Sequence, residues 1–110
     1  MAHIFVLYKL KAGVSREEFE AWLTSNNSTA LRRIKRLEKF TVFRIQKRVM
    51  AQEQASADYI DLFDIPDISG FINEDLRGDV SLKNMEEFNG FADKPEYLLA
   101  TAVSSNQLAS

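Results

Sequence analysis

Residues 2–11 read AHIFVLYKLK, and the rest of the architecture follows from how this run must be covered. Aromatic and branched side chains dominate it, which favours an extended strand. Ile4, Val6 and Tyr8 share one side of such a strand, and His3, Phe5 and Leu7 share the other. Both sides stay apolar until Lys9 and Lys11. A strand with two apolar faces is buried on both. The break comes at Ala12-Gly13, and Val14-Ser15-Arg16-Glu17-Glu18-Phe19 then starts a helix. Ser15 can cap it, Glu18 can return the bond, and Val14 and Phe19 stand where a hydrophobic staple puts them. Phe19, Trp22, Leu23 and Asn26 fall on one helical face, Asn26 being its polar member. Residues 27–29 weaken the helix, and a second short helical stretch is expected over residues 30–36.

Further along, residues 37–49 alternate as strand 2, with Phe40, Val42, Arg44 and Gln46 on one side. Residues 50–56 form a loop, and residues 57–65 form strand 3, with Tyr59, Asp61 and Phe63 on one side. Pro66 opens a second helix with the stripe Ile68, Phe71, Ile72 and Leu76, ending at Gly78. Leu82, Met85 and Phe88 predict an added short helix stopping near Gly90. Pro95 precedes strand 4, residues 96–103. The order β-α-β-β-α-β, with one extra helix, predicts an α+β fold. Its form is a four-stranded antiparallel sheet with helices on one face, the ferredoxin-like arrangement. Residues 1–104 form a single domain in this reading, and residues 105–110 a polar tail. The helices leave one apolar sheet face uncovered, and a second copy of the chain is the economical cover. A homodimer through the sheet face is therefore expected.

Composition narrows the chemistry. The chain has 110 residues, no Cys and one His. Thiol nucleophiles, thiolate metal sites and multi-histidine sites within one chain are excluded. No acidic loop of the kind that holds Ca or Mg appears, so neither a metal nor a cofactor is expected. No apolar run is long enough to span a membrane, and no signal peptide is recognised, so a cytoplasmic protein is expected. The near-neutral total charge hides a split. Residues 32–48 carry eight Lys/Arg against one acid, and residues 53–96 carry twelve Asp/Glu against three Lys/Arg. The basic block is interleaved with Phe40, Val42 and Phe43, and Lys47 and Arg48 point to opposite faces. Nucleic-acid binding is not expected from such a pattern.

The segments 3–11 and 19–22, HIFVLYKLK and FEAW, resemble the dimeric α+β barrel superfamily. That group includes antibiotic-biosynthesis monooxygenases, EthD-like proteins and stress-responsive barrel proteins. Residues 59–65 (YIDLFDI) and 88–93 (FNGFAD) are similar to the RedY-like (HapK) family within it. The resemblance covers residues 2–103. It implies a cofactor-independent cyclase or proton-transfer enzyme acting on an aromatic intermediate of pigment or other secondary-metabolite biosynthesis. A non-catalytic carrier in the same kind of pathway and a cofactor-free monooxygenase are the alternatives.

His3 matches a strand-1 His that assists proton transfer in the cyclase branch, although the second His of that branch is missing here. It is either a proton carrier or a structural imidazole. Asp61 is either a cavity acid or base, with Arg44 setting its charge, or half of a cross-strand Arg44–Asp61 pair that holds register. A loop centred near residues 52–53 puts Arg44 opposite Asp61, and the same arithmetic puts Asp61 beside Leu7 rather than His3. Asn26 either anchors a ligand carbonyl or caps the broken helix. Phe5, Leu7, Trp22, Tyr59 and Phe63 complete the expected ring-binding set.

Overall fold

The computed structural model describes residues 2–109, so Met1 and Ser110, the outer ends of the expected domain and tail, lie outside it. Four strands form one antiparallel sheet: β1 (Ala2–Leu10), β2 (Lys39–Arg44), β3 (Tyr59–Asp64) and β4 (Ala92–Thr101). Their spatial order is β2-β3-β1-β4. Helices α1 (Arg16–Trp22), α2 (Ser28–Leu31), α3 (Ile68–Asn73) and α4 (Asp79–Phe91) connect them. A π-helical turn, Leu23–Asn27, joins α1 to α2, and a 3-10 turn, Asp75–Arg77, lies between α3 and α4. This is the expected ferredoxin-like α+β fold.

The alternation of β1 sets the layers. Ile4, Val6 and Tyr8 are buried beneath the helices, whereas His3, Phe5 and Leu7 are only half covered. Antiparallel register turns that alternation into rows across the helix-facing side. The first row is Phe40–Phe63–Ile4–Leu99, the second Val42–Asp61–Val6–Tyr97, and the third begins Arg44–Tyr59–Tyr8. Phe19, Trp22, Phe71 and Phe88 close over these rows from the helices. Phe19 lies 5.0 Å from the Tyr59 ring, and Phe88 packs edge-on to Tyr8 at 4.8 Å.

Ser15 caps α1, its Oγ accepting from the Glu18 N–H at 3.1 Å. After Trp22 the helix departs from the expected phase. The π turn adds one residue to the stripe, so Asn27 is buried and Asn26 is exposed. Asn26 therefore belongs neither to the core nor to a pocket, and the following helical piece begins at Ser28 rather than Ala30.

Strand 2 is shorter than expected because its ladder with β3 stops at the Arg44–Tyr59 pair. Asp67, not Pro66, starts α3, its Oδ1 accepting from the Gly70 N–H at 3.0 Å. The added helix α4 is the longest in the fold, with 13 residues. β4 begins at Ala92, ahead of Pro95. Lys94 takes φ 48°, and the register with β1 shifts between Leu7 and Lys9. An edge strand tolerates both the bulge and the proline. Among the described residues no helix is long and apolar enough to cross a membrane.

The basic block meets the acidic half chiefly through Arg36. Its guanidinium reaches Asp67 at 3.2 Å, Glu74 at 2.8 Å and Asp75 at 3.0 Å, tying the α2–β2 connection to α3 and the turn after it.

Candidate functional site

The register corrects two sequence expectations about Asp61. Its β2 partner is Val42, and Arg44 sits opposite Tyr59, a slip of two residues. Its β1 partner is Val6 rather than Leu7. A two-residue slip preserves faces and leaves the alternation pattern unchanged, so the sequence could not reveal it. A one-residue slip exchanges faces. Pairing with Val6 puts Asp61 beneath the helices, in the middle of an apolar row.

Asp61 is 4% exposed. Among the described residues its one side-chain partner is the Tyr8 hydroxyl, which donates to Oδ1 at 2.7 Å. Burial pushes its carboxyl up to about 7, with the Tyr8 hydrogen bond acting in the opposite direction. Burial first, and Asp61 second, push the Tyr8 hydroxyl upward. Tyr97, in the same row as Asp61, is also raised, by burial and then by the Asp61 charge. The result is a carboxyl group that can give or take a proton near neutral pH, held by the Tyr8 hydroxyl and flanked in its row by Val6 and Val42.

Arg44 is committed elsewhere. It forms a two-point ion pair with Glu20 of α1, Nη2 to Oε1 at 2.5 Å and Nε to Oε2 at 2.7 Å. The Tyr59 hydroxyl donates to the same Glu20 Oε2 at 2.7 Å. Arg44 and then Tyr59 hold the Glu20 carboxyl down at about 2. Arg16 lies 5.0 Å over the Tyr59 ring. Glu20 is thus the missed carboxylate of this region. Its place one turn beyond Arg16, on a helix that packs on the sheet, was the available signal.

Among the described residues, two prominent cavities open between sheet and helices. One, about 610 Å³, runs along β2 and is walled by Leu23, Asn27, Leu31, Phe40 and Val42, with Glu20, Arg44 and Tyr59 at one end. The other, about 320 Å³, is strongly apolar and is formed by Ile4, Phe63, Phe71, Leu76, Met85 and Leu99 among others. Tyr97, Ser81 and Asn84 also line it. Leu31 is common to both. Asp61 lines neither: its strand neighbours Tyr59 and Phe63 line the first and second cavity respectively, and Asp61 lies between them.

The remaining sequence candidates divide by face. Trp22 is buried in the helix-facing core, and its Nε1 donates to Glu87 at 2.8 Å. His3, Phe5 and Leu7 lie on the opposite side of the sheet. There His3 Nδ1 is 2.9 Å from Asp64 Oδ1, and the ring packs edge-on to Phe5 at 6.4 Å. His3 and Asp61 are therefore separated by the sheet itself and cannot act on one ligand within a single chain.

A four-stranded antiparallel sheet with helices on one face and two open cavities beneath them defines the class as ferredoxin-like α+β proteins. Within it, the family model for the REDY-like protein HapK matches residues 2–103, and the chain belongs to that family. Comparison with curated proteins gives no match. Among solved structures it is similar to HapK from Hahella chejuensis, with TM-score 0.76, 19% identity and full coverage of both chains. It is similar to SnoaB, a cofactor-independent oxygenase from Streptomyces nogalater, with TM-score 0.72, 14% identity and 94% coverage of each chain. A dimeric ferredoxin-like protein of unknown function from Thermobifida fusca YX has TM-score 0.71 and 11% identity, with 92% of this chain and 90% of that one covered. At these identities the structural likeness speaks for the fold.

Proposed function

We propose that this protein binds a flat aromatic intermediate beneath its helices and promotes a cofactor-independent proton transfer on it, as a tailoring step of secondary metabolism. The observation that carries the reading is Asp61: a nearly buried carboxyl raised to about 7, in a sheet face of apolar and aromatic side chains. Asp61 is the proposed base: it lies between the two cavities and lines neither, so the ligand must open the space between them to bring a carbon or hydroxyl within reach of the carboxylate, which takes its proton. Tyr8 holds the carboxylate and supplies the hydrogen bond that remains when the proton moves. Returning that proton at another ligand atom gives a cyclisation or isomerisation with no net change in electrons. Such a step draws on no redox group. Tyr59, Phe63 and Trp22 supply the aromatic surroundings, and Arg44 acts through Glu20 and Tyr59 to shape the wider cavity. His3, Phe5 and Leu7 are assigned to the opposite sheet face.

That face is the proposed homodimer contact. Phe5, Leu7, Ile60 and Leu62 are only half covered there, and Phe43 is 49% exposed. A second copy laid on it buries these residues, in keeping with the dimeric ferredoxin-like relative.

Proton exchange tests the catalytic reading without a named substrate. A panel of aromatic carbonyl compounds bearing an acidic C–H is incubated with the protein in D₂O, and deuterium uptake is followed by mass spectrometry. Uptake accelerated by wild type and by His3→Ala, and reduced by about 10²–10⁴-fold in Asp61→Asn, is the expected result. Acceleration that survives Asp61→Asn would remove Asp61 from the chemistry. Binding without exchange would favour a carrier.

A further inference from the structure

Two residues on the α4 wall of the smaller cavity each hold a polar atom, buried just beneath the wall, that the fold itself leaves unused. Ser81 is 4% exposed, and its Oγ has no hydrogen-bond partner among the described residues. Asn84 follows three positions later, on the same face of α4. Its Nδ2 donates to Asn27 Oδ1 at 2.9 Å, and its Oδ1 is buried without a partner among the described residues. Both residues line the cavity, whose other walls are almost wholly apolar. Buried polar groups in folded proteins are nearly always paired, so two orphans at one cavity wall call for a partner.

Their chemistry is complementary. The Asn84 carbonyl only accepts, and the Ser81 hydroxyl can donate or accept. An aryl hydroxyl seated at this wall, met by small rotations of the two side chains, answers both at once: its O–H donates to Asn84 Oδ1, and its oxygen accepts from Ser81. A ring N–H answers only the first, and an ether only the second. The π turn gives this arrangement its direction. By carrying Asn27 into the core, it places an acceptor that draws Asn84 Nδ2 to itself and leaves Asn84 Oδ1 for the ligand.

We infer that Ser81 and Asn84 are the specificity-determining residues of this cavity, selecting an aromatic ligand with a hydroxyl on the edge turned to α4. Asn27 is the positioning residue that fixes the Asn84 amide. The inference rests on the proposed function in one respect only, that an aromatic ligand occupies the cavity.

Calorimetric titration with 2-naphthol, 2-methoxynaphthalene and 2-methylnaphthalene tests it, with binding located by NMR shifts at Phe63 and Leu99. The three probes share one ring system and differ at the hydroxyl. Wild type is expected to bind the naphthol at least ten-fold more tightly than either analogue. Ser81→Ala, which removes no existing hydrogen bond, should shrink that preference several-fold, and Asn84→Leu should abolish it. Equal affinity for all three probes in wild type, or a preference unchanged in both variants, overturns the inference while aromatic binding stands. Absence of binding by every probe at this cavity overturns the proposed aromatic site together with it.

Discussion

Asp61 links stability to the proposed chemistry. Its carboxyl is raised from 3.8 to about 7, chiefly by burial. Between those values the folded chain holds a proton that the unfolded chain has released. Stability from this group is therefore fully present below about pH 4, falls as pH rises, and levels off above about 7. Across the interval the loss is on the order of 4 kcal/mol, at about 1.4 kcal/mol per pH unit. Asp61→Asn is expected to match wild type near pH 4 within about 1 kcal/mol and to exceed it by several kcal/mol at pH 8, in urea titrations at both values. A wild-type advantage at pH 8 would show that the charged form is the favoured one. Tyr8→Phe removes the hydrogen bond that lowers the Asp61 value. The midpoint should then move above 7, and a downward movement would contradict the assigned direction. The proton-exchange rate, limited by the ionised base, should rise with pH and follow the same displacement.

At the level of elements, the helix start was legible because Ser15, Glu18, Val14 and Phe19 are local signals with local physics. The outcome beyond Trp22 was not. A π turn advances the buried stripe by one residue, and no residue in Leu23–Asn27 announces it. Asn26 looked like the core amide, yet Asn27 is the buried one. Their substitutions should separate accordingly. Asn26→Ala is expected to change stability by less than about 0.5 kcal/mol. Asn27→Ala should cost about 1–3 kcal/mol, because it leaves the Asn84 Nδ2 without its acceptor. Chemical denaturation of the two variants measures both, and equal effects would place the phase shift in error. The strand register was hidden for a related reason. Alternation identified Tyr59, Asp61 and Phe63 as one face, but it could not choose between Arg44 and Val42 opposite Asp61, since both choices keep the faces. The Arg44–Glu20 pair joins a strand to a helix, and no pattern within either segment encodes it.

For the whole molecule, the doubly apolar β1 was the most informative feature of the sequence. It anticipated a sheet covered by helices on one side and, on the other, an apolar face without helical cover. It could not say that His3 and Asp61 would fall on opposite sides, because that depends on the β1–β3 register. The charge split has a structural counterpart in Arg36, which gathers Asp67, Glu74 and Asp75 into one cluster. If the half-exposed face is a dimer contact, Leu62→Lys should give a monomer at micromolar concentration by analytical ultracentrifugation, with the wild type dimeric. A monomeric wild type would contradict the assembly and leave the helix-covered site unaffected.

The proposed proton transfer depends on one carboxyl, Asp61, raised to about 7 by its burial. The most direct test of this is a titration of the side-chain carboxyl carbon by ¹³C NMR, with Asp61→Asn supplying the assignment. A midpoint close to 7, moving upward in Tyr8→Phe, is the expected result. A midpoint near the ordinary aspartate value of about 4 would contradict the claim.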